Sequence, residues 1–153
     1  MSIAPRLTAE ALHECCSSRR WVELMLAAEP AGAEQALAAS GQAFDGLCRT
    51  DWLEAFAAHS AIGAPQAGDA IGAAEQAGVQ DDHATRMALA AANIEYQRRF
   101  GFVFLIRAAG RSGDEILVAL HDRLDNPPET EFVNACDQQR EITALRLASL
   151  LPT

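Results

Sequence analysis

The sequence predicts an all-α protein: one compact domain over residues 1–153, built of about eight helices with a short extended segment after Gly101. Three observations carry this reading. Ala-rich stretches place their apolar residues at helical spacing, and short Gly, Pro and Ser breaks punctuate them. The third is a single joint. Leu89, Ala92, Tyr96 and Phe100 recur at helical spacing up to Gly101, after which Phe102, Val103, Phe104, Leu105 and Ile106 run on as a continuous β-branched or aromatic stretch. A helix is expected to stop at Gly101 and a buried extended segment to begin.

Taken in order, Thr8 is expected to cap a short first helix, and Ser18 a second that runs through Trp21, Leu24 and Met25 to a stop near Pro30. A third covers residues 34–44. Thr50 or Asp51 opens a fourth, with Trp52, Phe56 and Ala57 on its apolar face and its end near His59. Residues 60–69 form a breaker-rich loop of the kind that often carries sites. A short helix containing Glu75-Gln76-Ala77-Gly78 follows, and Asp81 or Asp82 caps the helix that leads to Phe100. Ser112-Gly113-Asp114-Glu115 has the capping-box pattern and starts a helix through Ile116, Leu117 and Leu120. Asn126-Pro127-Pro128-Glu129 offers an Asn cap and Pro in the first turn, launching a last helix to Leu150.

Composition excludes several functions. A net charge of −9 repels phosphate backbones, and no basic stripe is present, so no nucleic-acid partner is expected. No apolar run approaches the ~20 residues needed to span a bilayer, and no signal peptide is recognisable at the N-terminus. A soluble cytoplasmic protein with no membrane partner is expected. Cys15, Cys16, Cys48 and Cys136 form no CxxC pair, which fits reduced thiols. The chain contains no Lys, which removes Schiff-base chemistry, Lys-anchored pyridoxal phosphate and a P-loop lysine. His13, His59, His83 and His121 lack metal-ligand spacing, and no GxSxG, GxGxxG or Walker sequence occurs. No metal and no cofactor are expected.

Three side chains remain as candidates for chemistry. His59 stands where a helix should end, so the last carbonyls would favour its protonated form; the plain alternative is a surface or capping role. Glu75 lies on a short helix otherwise made of small and apolar residues, among them Gly72, Ala73, Ala74 and Ala77. An exposed Glu on a poorly packed helix is the competing reading. On the last helix, at ~100° per residue, Phe132, Cys136, Gln139, Thr143 and Leu150 form one stripe, with Arg146 within about 40° of its centre. A buried guanidinium needs a carboxylate, carbonyls or an anionic ligand. Arg140 falls on the other flank, and periodicity does not choose between the two.

Read in sequence, His59 with Ile62-Gly63, Glu75-Gln76-Ala77-Gly78, Asn93, Tyr96, Phe100-Gly101-Phe102 and Phe104-Leu105-Ile106 form a pattern. It resembles the family of 2-oxo-4-hydroxy-4-carboxy-5-ureidoimidazoline (OHCU) decarboxylases of urate catabolism. The similarity continues through Ile116-Leu117, Leu120, Arg123-Leu124, Asn126, Glu131, Ala135, Glu141-Ile142 and Arg146-Leu147. It covers most of the chain from about Trp21 onward.

The resemblance implies an all-helical, cofactor-free carboxy-lyase, frequently a homodimer, whose partner is a small ureidoimidazoline acid converted to (S)-allantoin and CO2. It makes His59 the central acid and base, Glu75 the group that holds and polarises the substrate, and Arg146, rather than Arg140, the cationic anchor. Ser60, Gly72 and Gln76 would border the substrate, and the backbone of Phe102, Val103, Phe104, Leu105 and Ile106 would line the pocket. Two positions depart from the family pattern: Ser60 stands where Pro usually follows the His, and Gly72 where a Ser often precedes the Glu. Two other functions share the pattern, a related decarboxylase acting on another ureido or imidazole acid, and a non-catalytic helical paralogue.

Overall fold

Thr8 and Ser18 each close a helix N-terminus, as short hydroxyl side chains with extended backbone do. Thr8 Oγ1 accepts from the Ala11 N–H at 3.1 Å and Ser18 Oγ from the Trp21 N–H at 3.2 Å, at the starts of α1 (Ala9–Cys15) and α2 (Arg19–Ala28). The computed structural model describes residues 7–59, 83–108 and 110–151. Among these, five further helices follow: α3 (Ala33–Asp45), α4 (Arg49–Ala57), α5 (His83–Phe100), α6 (Gly113–Leu124) and α7 (Pro128–Leu150). The protein is all-α, with no strand among the described residues. The expected helix around Glu75 and the Asp81 or Asp82 cap lie outside them.

The chain forms two compact units, Met1–Ala58 with Asp137–Thr153, and His59–Cys136. Helix α7 is continuous and contributes its residues up to Cys136 to one and those from Asp137 to the other.

In the first unit, α2 packs against α1, α3 and α4. Its core is an aromatic series: Trp21 and Phe44 have ring centres 5.8 Å apart, Phe44 stacks on Trp52 at 4.9 Å, and Trp52 meets Phe56 at 6.1 Å. The Trp21 indole N–H reaches Ser40 Oγ at 3.2 Å, so the ring is buried with its one polar atom satisfied. Helix α2 stops at Glu29, in left-handed conformation with φ 46°, directly before Pro30.

In the second unit, α5 packs on α6, and Thr85 Oγ1 donates to Asp114 Oδ1 at 3.1 Å. Ser112 caps α6, accepting from the Glu115 N–H at 3.1 Å, as the capping-box pattern predicts.

Two expected helix starts move, those of α4 and α7. Helix α4 starts at Arg49, with Cys48 as its N-cap; Asp51 sits inside the first turn, where its carboxylate accepts the Cys48 N–H at 3.1 Å. It ends at Ala57, so His59 lies two residues past the last helical position. Helix α7 starts at Pro128, and its first turn is closed by the Glu131 N–H on the Pro127 carbonyl at 3.0 Å. Asn126 is therefore not the cap, and its amide serves another purpose described below.

Candidate active site

Gly101 ends α5 as its sequence context requires. Its N–H bonds the Gln97 carbonyl at 2.8 Å and its φ is +84°, a conformation glycine adopts without strain. The following residues are core: Phe102, Val103, Phe104, Leu105 and Ile106 are all buried, yet they join no strand and have no regular secondary structure. The rings of Phe100, Phe102 and Phe104 surround the buried Tyr96 at 4.6, 6.0 and 5.3 Å between centres, and Phe132 closes on Phe102 at 6.3 Å.

A charged cluster is built into this apolar region. Glu131, on α7, is fully buried. Arg123, in the last turn of α6, presents Nε to both of its oxygens at 3.1 and 3.0 Å and Nη2 at 2.9 Å. The Asn126 and Asn134 amides donate to Glu131 Oε1 at 3.0 and 2.9 Å, and the Tyr96 hydroxyl donates to Oε2. Burial alone would raise the Glu131 pKa, but the hydrogen bonds from Arg123, Tyr96, Asn126 and Asn134 outweigh it and hold the carboxyl below its ordinary value. Burial, followed by the bond to Glu131, pushes the Tyr96 phenol well above its ordinary value, so it stays a donor. Arg123 also reaches backbone: its Nη1 donates to the Leu105 carbonyl at 2.6 Å, while the guanidinium lies 4.6 Å from the centre of the Phe104 ring.

Of the residues expected to form the site, Ser60, Gly72, Glu75 and Gln76 lie outside the described residues. His59 is half-buried in a bend after α4 and belongs, with residues 102–106, to the second unit. Arg146 belongs to the first unit, half-buried on α7, where Nη1 donates to the Glu14 carbonyl in the last turn of α1 at 3.2 Å. That end of a helix favours a cation. Arg140 has a different setting. It pairs with Asp45 at 2.8 Å, donates to the Gly41 carbonyl at 3.3 Å and lies 5.4 Å from the ring centres of both Phe44 and Trp52. Its guanidinium ties α7 to α3, a structural role.

The buried residues of α7 are Glu131, Ala135, Gln139, Ile142, Thr143 and Leu147. Gln139 and Thr143 are on the expected stripe, but Glu131, Ala135 and Leu147 are buried in place of the half-buried Phe132, Cys136 and Leu150. The polar positions are satisfied internally, Gln139 by donating to the Thr143 hydroxyl at 3.0 Å and Glu131 by the cluster above, and it is Glu131 that departs from the expected stripe. Gln139 and Thr143 are on the interior stripe that the sequence predicts, whereas Glu131 is not, so Arg123 and Glu131 were missed as partners. The signal was an i, i+4 series with a carboxylate on it, eight residues beyond an arginine.

The two adjacent cysteines of the first unit, Cys15 and Cys16, are buried. Burial pushes the Cys15 thiol up to about 11 and the Cys16 thiol up to about 12, against the opposing pull of the Arg146 charge, so both remain protonated at neutral pH. All four cysteines are unbridged. A surface hollow of about 630 Å³ beside Arg19, Thr50 and Glu54 contains none of the expected site residues, and Arg19 there is paired with Glu54 at 3.1 Å. Among the described residues, no helix is long and apolar enough to cross a membrane.

Comparison with known proteins gives a consistent outcome. A family model described as OHCU decarboxylase matches residues 2–148. The uric acid degradation bifunctional protein TTL of Arabidopsis thaliana is 34% identical over 145 residues, 89% of this chain and 45% of that protein. The chain thus spans about half the length of that relative. A 2-oxo-4-hydroxy-4-carboxy-5-ureidoimidazoline decarboxylase of Haloferax volcanii is 31% identical over 110 residues, 70% of this chain and 66% of that one. Among solved structures, an OHCU decarboxylase crystallised in the presence of (S)-allantoin superposes with a TM-score of 0.81 at 33% identity, covering 94% of this chain and 97% of that one. An (S)-allantoin synthase superposes at 0.74 with 22% identity, over 95% of this chain and 50% of that one, a likeness of fold. By the family model and by its relatives, this chain belongs to the OHCU decarboxylase family.

Proposed function

We propose that this chain catalyses the cofactor-free decarboxylation of OHCU to (S)-allantoin and CO2 in urate degradation. The observation that carries the reading is the match to almost the whole of a solved OHCU decarboxylase, 97% of that chain, crystallised with (S)-allantoin. In the reaction the bond to the carboxylate breaks, CO2 leaves, and the electron pair moves into the adjacent ring C=N, whose nitrogen takes up a proton from solvent. The hydroxyl carbon becomes a carbonyl as it loses its proton, and a proton arrives on one face of the neighbouring ring carbon.

The chain's own residues then divide the work. Arg146 anchors the anionic substrate, Glu75 holds ureido or ring N–H groups, and His59 takes the hydroxyl proton and supplies the ring proton. Placed acid and base catalysis of this kind contributes about 10²- to 10⁴-fold, and positioning supplies much of the rest. The backbone of residues 102–106 orients the ring, while the phenyl groups around it exclude water. Ser60, Gly72 and Gln76 border the substrate. Assembly as a homodimer follows from the family resemblance, and light scattering tests it.

The test adds purified protein to OHCU freshly generated from urate and follows the chirality of the allantoin formed. Accelerated decay to the (S) enantiomer is expected. Unchanged decay, with activity on a different ureido acid, would favour the second reading, an altered substrate, which Ser60 after His59 and Gly72 before Glu75 motivate.

A further inference from the structure

We propose that Arg123 is a positioning residue of the active site, acting through the Leu105–Ile106 peptide rather than on the substrate. The inference deepens the OHCU reading above and rests on its assignment of residues 102–106 to the pocket wall.

Peptide planes inside helices and sheets are set by their ladders, but residues 103–108 belong to neither. Their orientation must come from elsewhere. Arg123 supplies it at one point, through the 2.6 Å bond from Nη1 to the Leu105 carbonyl. The arginine is itself held on every side that matters: by both Glu131 oxygens, and by the Phe104 ring beneath it at 4.6 Å. Glu131 is held in turn by Asn126, Asn134 and Tyr96. The cluster is a hydrogen-bonded block with one arm on a main-chain carbonyl.

The consequence lies on the other side of that peptide. All peptide bonds of the described chain are trans, and in a planar trans peptide the C=O and the following N–H point in opposite directions. A Leu105 carbonyl fixed on Arg123 therefore fixes the Ile106 N–H away from the charged cluster. A backbone donor held in this manner needs no reorganisation when it meets a substrate oxygen, which is what makes preorganised donors effective. Lysine could keep the charge beside Glu131, but its ammonium lacks the planar fork that serves a carboxylate and a carbonyl together.

The experiment has two arms on the full chain. In the first, wild type and Arg123→Lys are compared for turnover of OHCU and for binding of (S)-allantoin by calorimetry, with circular dichroism as the check of folding. A rise of about tenfold or more in both KM and the allantoin Kd, with kcat falling less, is the split expected when a binding donor is misplaced. Unchanged constants in the folded variant overturn the proposal. Should Arg123→Lys not fold, the double variant Arg123→Met with Glu131→Met removes the buried charges together, a change such sites tolerate. A purely structural cluster predicts wild-type constants there, and a positioning role predicts the same loss.

The second arm needs no variant. In isotope-labelled wild type, the Ile106 amide resonance is expected to move on addition of (S)-allantoin, and an unmoved resonance overturns the proposal. Inactive wild type would instead overturn the OHCU reading, and the Ile106 amide then reports separately on whether the donor faces a ligand.

Discussion

The Arg123 guanidinium and the Glu131 carboxylate meet at 2.9 Å with the carboxylate fully buried and only 13% of the arginine side chain exposed. Removing one partner of such a pair leaves the other charged without compensation, which costs about 3–5 kcal/mol. Glu131→Ala is therefore expected to lower the unfolding free energy by that order in urea titration, and more than the double replacement by Met. The acid limb carries a sign that can be checked. Because the folded-state pKa of Glu131 is depressed, its contribution is complete above the unfolded pKa of about 4.3 and is lost as pH falls through the folded value. The stability gap between wild type and Glu131→Gln should be flat near neutrality and shrink below that pH.

Tyr96 is the single tyrosine of the chain, so phenolate absorbance reports on it alone. Burial and the bond to Glu131 raise its pKa, and the folded protein should show no phenolate signal as pH passes the ordinary value of about 10. The signal is expected to appear together with loss of helical dichroism. An ordinary titration in folded protein would contradict the buried cluster.

Arg140 and Arg146 separate by experiment. Arg140 is engaged with Asp45, which is 74% exposed, so Arg140→Met should cost roughly 1 kcal/mol or less and leave KM for OHCU unchanged. Arg146→Met should raise KM by tenfold or more, about 1.4 kcal/mol of substrate binding. Steady-state kinetics beside thermal unfolding distinguishes the two outcomes.

His59→Ala is expected to reduce kcat by about 10²- to 10⁴-fold while leaving the helical spectrum intact. Full activity in the folded variant would remove His59 from the mechanism.

The seven described helices, the caps at Thr8, Ser18 and Ser112, and the stop at Gly101 were legible in the sequence, because a cap and a period are decided within one or two turns of chain. The starts of α4 and α7 were less legible. Several capping residues compete there within three positions, and the winner depends on which N–H finds which oxygen; Asp51 lies in the first turn, and Asn126 turns to Glu131. The run after Gly101 was correctly read as buried, but alternation and β-branching could not say that it would join no strand.

The sequence by itself determined the all-α class, the exclusion of lysine chemistry, and, through spaced motifs, the family. Only the tertiary structure decided which charges are interior. Glu131 reads as one more surface carboxylate until Arg123, Tyr96, Asn126 and Asn134 converge on it, and Arg140 and Arg146 look equivalent until Asp45 claims the first and the Glu14 carbonyl meets the second. The reason is physical. A helix period is a property of neighbouring residues, whereas the cost of burying a charge is cancelled only by groups that the fold brings from elsewhere in the chain.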